Sequence, residues 1–160
     1  MCAALLAPLS SVQAGEAEFL TTLDGKWSGT GTFLVRTNSK PISVKCNFDS
    51  IAEGNSLSLD GNCRGLVIFS RAIRADLKAS GDKYAGSYVG AGTGKAGLSG
   101  SRKGNAINLG IRWAKEVNGD RKALMTVQKV GDNGMTLTTV DVDPKSGKNV
   151  VTSRIKLRRM

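Results

Sequence analysis

The segment CNFDSIAEGNSLSLDGNC, residues 46–63, constrains the fold more than any other part of the chain. Apolar and polar residues alternate along it, and Gly54-Asn55 stands at its centre as a two-residue hairpin turn of the primed type. That turn places Cys46 opposite Cys63, Phe48 opposite Gly61, Val44 opposite Gly65 and Ile42 opposite Val67. The closing pair, Glu53 and Ser56, is hydrogen-bonded, and alternation from it makes Cys46/Cys63 a non-hydrogen-bonded pair. Such pairs hold their Cα atoms about 4.5 Å apart, within reach of a disulfide. Turn, apolar face and cysteines are separate signals, and they agree.

The same exercise works twice more. In AIRADLKASGDKYAGSYVG a turn at Gly81-Asp82 pairs Ala79 with Tyr84, Leu77 with Gly86, Ala75 with Tyr88 and Ile73 with Gly90. In AGLSGSRKGNAINLGIRW a turn at Gly104-Asn105 pairs Gly100 with Leu109, Leu98 with Ile111 and Ala96 with Trp113. Further turns fall at EVNGD, VGDNG and DPKSGK, where either parity leaves a polar residue on the inner face and the register stays open. Ahead of all this, EAEFLTTLD sets Phe19, Leu20 and Leu23 at helical spacing, one or two turns ended by Asp24-Gly25. Turns recur about every ten residues, which gives about ten short strands joined in sequence. The expectation is an all-β fold, a single antiparallel up-and-down barrel with a short N-terminal helix, because closure removes the edges of a long meander. Glycines at 29, 31, 61, 86, 100 and 110 fall inside the strands. They mark either the bends of a tight barrel or an interior hollowed for a ligand.

A chain of 160 residues suits one domain. Residues 1–14 carry no charge and end in the small-residue pattern Val12-Gln13-Ala14, so they read as the remnant of a secretory leader ahead of a barrel at 15–160. The basic start of such leaders is missing, and the competing reading is a short buried N-terminal strand. Cleavage after Ala14 removes Cys2 and leaves Cys46 and Cys63 as an even pair, which suits an oxidising compartment. Past the leader no apolar stretch approaches the ~18 residues of a membrane-spanning helix. The expected location is the bacterial periplasm or exterior.

A short helix, then Gly25-Lys26-Trp27, then a glycine-bearing strand resembles the start of the calycin superfamily, which includes lipocalins, fatty-acid-binding proteins and bacterial lipocalin-like proteins. The resemblance implies that Trp27 packs across the barrel floor beneath a basic side chain of the last strand. In VVTSRIKLRR that partner is Arg154 or Arg158. A guanidinium over an indole is a favourable contact that seals the end while its head reaches water. The alternative is a core tryptophan opening an ordinary β-sandwich.

Other motifs carry less. The chain has no histidine, which removes histidine-ligated haem, zinc–histidine sites and every triad built on that residue. Gly92-x-Gly94-x-x-Gly97 has dinucleotide-loop spacing, but a hairpin follows where the phosphate site needs a helix, so it reads as a glycine loop at a barrel rim. Ser80-Gly81-x-x-Tyr84 resembles a segment of periplasmic lysozyme inhibitors, although a net charge of +10 would repel a basic lysozyme. Asp49, Asp60 and the pair Asp141/Asp143 read as solvated charge.

These readings point to a non-catalytic protein that binds a small apolar or amphipathic, by charge anionic, molecule inside the barrel. The expected lining is Trp27, Phe33, Phe48, Leu77, Tyr84, Tyr88, Leu98, Leu109, Ile111 and Trp113, with Arg102 or Lys95 near a rim. No metal or cofactor is called for. Lys and Arg gather at 71/74/78, 102/103, 121/122 and in the C-terminal tail, while aromatics make up only 5% of the residues, which argues against nucleic acid. The alternative is a cell-envelope structural or interaction protein, its barrel filled and its basic surface set against anionic lipid, lipopolysaccharide or a protein partner.

Overall fold

The computed structural model describes residues 11–66 and 68–160, without the side chains of 11–14. The leader expected over 1–14 and Cys2 therefore lie largely or wholly outside the described residues, as does Val67. A helix, α1 (Ser11–Thr21), is followed by ten strands: β1 (Gly25–Phe33), β2 (Ile42–Glu53), β3 (Ser56–Gly65), β4 (Phe69–Ser80) and β5 (Lys83–Val89), then β6 (Ala96–Lys103), β7 (Ala106–Val117), β8 (Asp120–Val130), β9 (Gly134–Val142) and β10 (Asn149–Arg159). Each strand pairs antiparallel with the next, and β1 pairs with β10, so the sheet closes into a barrel as the turn rhythm predicts. Among the described residues no helix is long and apolar enough to cross a membrane.

The three hairpin registers hold. Between β2 and β3 the ladder runs from Glu53↔Ser56 through Phe48↔Gly61 and Cys46↔Cys63 to Lys45↔Arg64, and the two cysteines form a disulfide with Cα atoms 4.1 Å apart. Gly54, Gly81 and Gly104 have positive φ while the residue after each does not, the pattern of a II′ turn. The ladders stop just short of the outermost expected pairs, ending at Arg74↔Val89 and Gly97↔Arg112. Helix α1 is longer than the one or two turns expected, starting at Ser11. Its alanines, glutamine and glutamates favour helix, and Leu20 and Leu23 anchor its end in the barrel with no exposure at all.

One contiguous core fills the barrel from the helix end to beyond mid-height, including Phe48, Leu59, Leu77, Leu98, Ile107, Leu109 and Val127. Several strand glycines mark close approach between elements. A Cβ on Gly29 would lie 1.9 Å from the Lys156 carbonyl oxygen, and one on Gly61 would strike the Phe48 ring, which already occupies that space.

Candidate functional site

The two ends of the barrel differ. At the helix end, Trp27 is fully buried and its indole N–H donates to the Leu23 carbonyl at 3.0 Å. The guanidinium over its ring belongs to Arg159, centred 4.3 Å from the ring, and not to Arg154 or Arg158. Inward positions on β10 are Ser153, Ile155, Leu157 and then Arg159, so the two expected arginines point outward. Arg159 also donates to the carbonyls of Thr22, at 2.7 Å, and of Asp24, capping the end of α1. Gly25 is required beside it: its φ is +121°, and a Cβ would sit 2.8 Å from the Arg159 guanidinium.

Glu16 on the same helix is nearly buried. It accepts a short bond from the Tyr84 hydroxyl and a forked pair from Arg102, at 2.8 Å from Nε and from Nη2. Burial works against its charge, but the bonds from Arg102 and Tyr84 outweigh it and hold its pKa below the usual value. The Arg102 guanidinium lies over Phe19, 4.6 Å from the ring centre. Arg102 is thus part of the helix latch and not of a binding rim. Lys95 is exposed, and its charge is felt at Asp76 on β4.

The opposite end is the candidate site. A cavity of about 80 Å³ opens there, walled by Phe33, Val35, Tyr88, Trp113 and Val117 and by the polar side chains of Arg71, Asn118, Thr139, Asp141 and Ser153. The Tyr88 and Trp113 rings pack 5.9 Å apart, and Phe33 packs against Phe69 at 6.0 Å. The loop after β5 lies over one side, since a Cβ on Gly92 would fall 2.9 Å from the Arg71 guanidinium. The expected glycine loop is therefore a rim loop, and it passes close to the Arg71 guanidinium. Trp113 Nε1 is buried without a hydrogen-bond partner among the described residues.

Asp141 corrects the solvated reading: it is 2% exposed. Asn118 donates to one carboxylate oxygen at 3.0 Å, and the Val142 N–H donates to the other at 2.8 Å. Burial raises its pKa against the pull of those bonds, and the charge of Asp120 adds to the rise. Burial also pushes the Tyr88 hydroxyl up to about 12, with the Arg71 charge opposing. The mouth is thus lined by the Tyr88 phenol, the Arg71 guanidinium, the Trp113 indole, the hydroxyl side chains of Thr139, Thr152 and Ser153 and the Asp141 carboxyl, against an aromatic wall. Arg71 brings a positive charge to this lining, and Asp141 brings a carboxyl that burial holds toward its neutral form.

Of the lining expected from the sequence, Phe33, Tyr88 and Trp113 meet at this cavity. Phe48, Leu77, Leu98, Leu109 and Ile111 pack into the core, and Trp27 and Tyr84 belong to the helix end. Arg71 was legible: it is the next inward position after Ile73, Ala75 and Leu77. Among the described residues no cluster of three or more Cys, Asp or Glu side chains could hold a metal ion.

No family model matches the chain, and no curated protein matches it. Among solved structures it resembles the crystal structure of Rv2717c from M. tuberculosis, with a TM-score of 0.69, 13% identity, and coverage of 91% of this chain and 97% of that one. At that identity the likeness shows a shared barrel fold.

Proposed function

We propose that this is an exported, non-catalytic, lipocalin-like binding protein that takes the polar end of a small amphipathic anion at the mouth of its barrel. The reading is carried by Trp113, whose indole N–H is buried without a partner on a side chain that lines the cavity. A buried donor left unpaired costs roughly 1–3 kcal/mol, which a ligand acceptor would return. Arg71 at the same mouth favours an anion, and burial favours the neutral form of the Asp141 carboxyl in the same wall, which limits the opposing charge. The size of the cavity, about 80 Å³, sets how much enters. Sites that enclose a whole drug-sized ligand run to roughly 300–1,000 Å³, so only a head group fits and the rest lies along Phe33 and Val35 at the rim. The lipocalin-like assignment draws support from Gly25, Trp27 and the helix at that end; export draws support from the disulfide and from the uncharged sequence over 1–14.

The test is native mass spectrometry of the protein released from a periplasm without denaturation, followed by titration with fatty carboxylates. A stoichiometric adduct is expected. Trp113→Phe should weaken binding roughly ten- to a hundredfold, since one hydrogen bond to a charged acceptor is lost. The buried indole also packs on Tyr88, so the variant should melt somewhat lower, and binding is compared well below both transitions. A clean apo mass that persists after incubation with envelope lipids and carboxylates overturns the reading.

A further inference from the structure

Beside the mouth, the outer wall carries charge and apolar surface in one strip. Outward positions Lys156 on β10, Thr30 on β1, Lys45 on β2 and Arg64 on β3 are successive cross-strand neighbours. Strand spacing spreads that row over about 14 Å. Arg154, opposite Thr32, stands one outward position nearer the mouth. These four cations line a shallow groove of about 660 Å³ whose walls contain no carboxylate. None of the four takes part in an ion pair among the described residues. Lys45 and Arg64 face each other directly, and like charges at that position destabilise a sheet. The free protein carries that cost, and an anionic partner relieves it.

The groove ends at Leu66, which is 77% exposed and has φ 53°, a backbone conformation that bulky residues rarely adopt. Ile68, 92% exposed, stands on the same turn, and Val35, 59% exposed, is on the same rim. Scattered surface aliphatics are ordinary, but these cluster at a tip and adjoin cations. Arg64 lies two residues up the strand from Leu66, about 6.6 Å. A tip sunk ~5–10 Å into the headgroup and acyl boundary would therefore bring the cations level with lipid phosphates.

We propose that this rim docks on an anionic phospholipid bilayer, with Leu66 and Ile68 in the acyl boundary and Lys45, Arg64, Arg154 and Lys156 on the phosphates. The docking surface does not depend on the ligand at the mouth, although it would turn that mouth toward the membrane. The test is co-sedimentation of the full chain with vesicles of phosphatidylcholine, with and without phosphatidylglycerol. Binding is expected only with phosphatidylglycerol, and added salt should weaken it. The double variant Lys45→Ala, Lys156→Ala should lower partitioning about 30-fold, given the usual gain per basic residue near such a surface. Leu66→Ser with Ile68→Ser should lower it by about tenfold or more at unchanged charge. All four side chains are exposed, so melting temperatures should stay near the parent's, and none lines the mouth cavity, so failure here leaves the ligand reading standing. Equal binding to both vesicles, or full binding by the charge variant, overturns the proposal. So does retention of a single-stranded oligonucleotide without vesicle binding, which would assign the face to nucleic acid.

Discussion

At the scale of single residues, Asp141 is where local patterning and the folded environment part. Read along the chain it is one of two carboxylates at a strand end; folded, it faces the mouth at 2% exposure with two donors on its oxygens. Burial raises its pKa above the unfolded value of 3.8. A carboxylic acid whose folded pKa is raised binds its proton more tightly in the native state. Stability from this group is therefore highest below the unfolded pKa and declines as pH rises through the folded one. Asp141→Asn removes that titration. The variant should gain melting temperature relative to the parent at neutral pH, and the gap should narrow toward pH 4. A fixed offset from the altered hydrogen bonds is expected at every pH, so the slope is the diagnostic. Thermal melts of both proteins across that range measure it, and parallel curves would show that the native state does not favour the neutral acid.

Among the elements, the hairpin of β2 and β3 was legible from its turn out to Lys45↔Arg64 because everything that fixes that part is local. A two-residue turn, strict alternation and two cysteines in register leave one arrangement. Cys46 and Cys63 are both buried, so their bridge works as packing and as a crosslink. Changing both to alanine should cost about 3 kcal/mol, chiefly by freeing the unfolded chain, with the hairpin register kept by its turn. Urea unfolding under non-reducing conditions would report this as a lower midpoint. A loss well under 1 kcal/mol would mean that the unfolded chain is already restrained there. The last three strands were illegible for a different reason. Their inward faces carry Lys129 and Arg159 at one end and Thr139, Asp141 and Ser153 at the other, with a bulge between Val151 and Ser153. Each breaks the apolar alternation that would reveal the register. Arg159 and Lys129 are the cations near Trp27, while Thr139, Asp141 and Ser153 build the mouth. The polar residues that blur the pattern are those that make the two ends of the barrel different.

Over the whole molecule, closure is the property that no single stretch encodes. It depends on β1 meeting β10, and Asp24 and Arg159, which bond across that seam, are 135 residues apart in sequence. Contacts of such separation form only after a large loss of chain entropy, so the seam should be the last ladder to form and the first to open. Strand count and turn rhythm imply closure, but the fit of the seam rests on details that propensity does not register. Gly29 is one: it faces Leu157, and a Cβ there would lie 1.9 Å from the Lys156 carbonyl oxygen, a backbone atom that cannot swing away. Gly29→Ala should therefore part β1 from β10 locally and not merely crowd a side chain. The expected cost is about 2 kcal/mol or more, at the upper end for a small added group, because strain and lost ladder bonds combine. An opened seam also leaves two unpaired edges, which invite pairing between molecules. Size-exclusion chromatography and thermal melts of the parent and the variant test both consequences. A variant with a lower melting temperature and added higher-order species fits a barrel held shut at this seam. One that elutes and melts as the parent does would mean that β1 can bend away at Gly29 without releasing β10, and closure would then rest on the Trp27–Arg159 end alone.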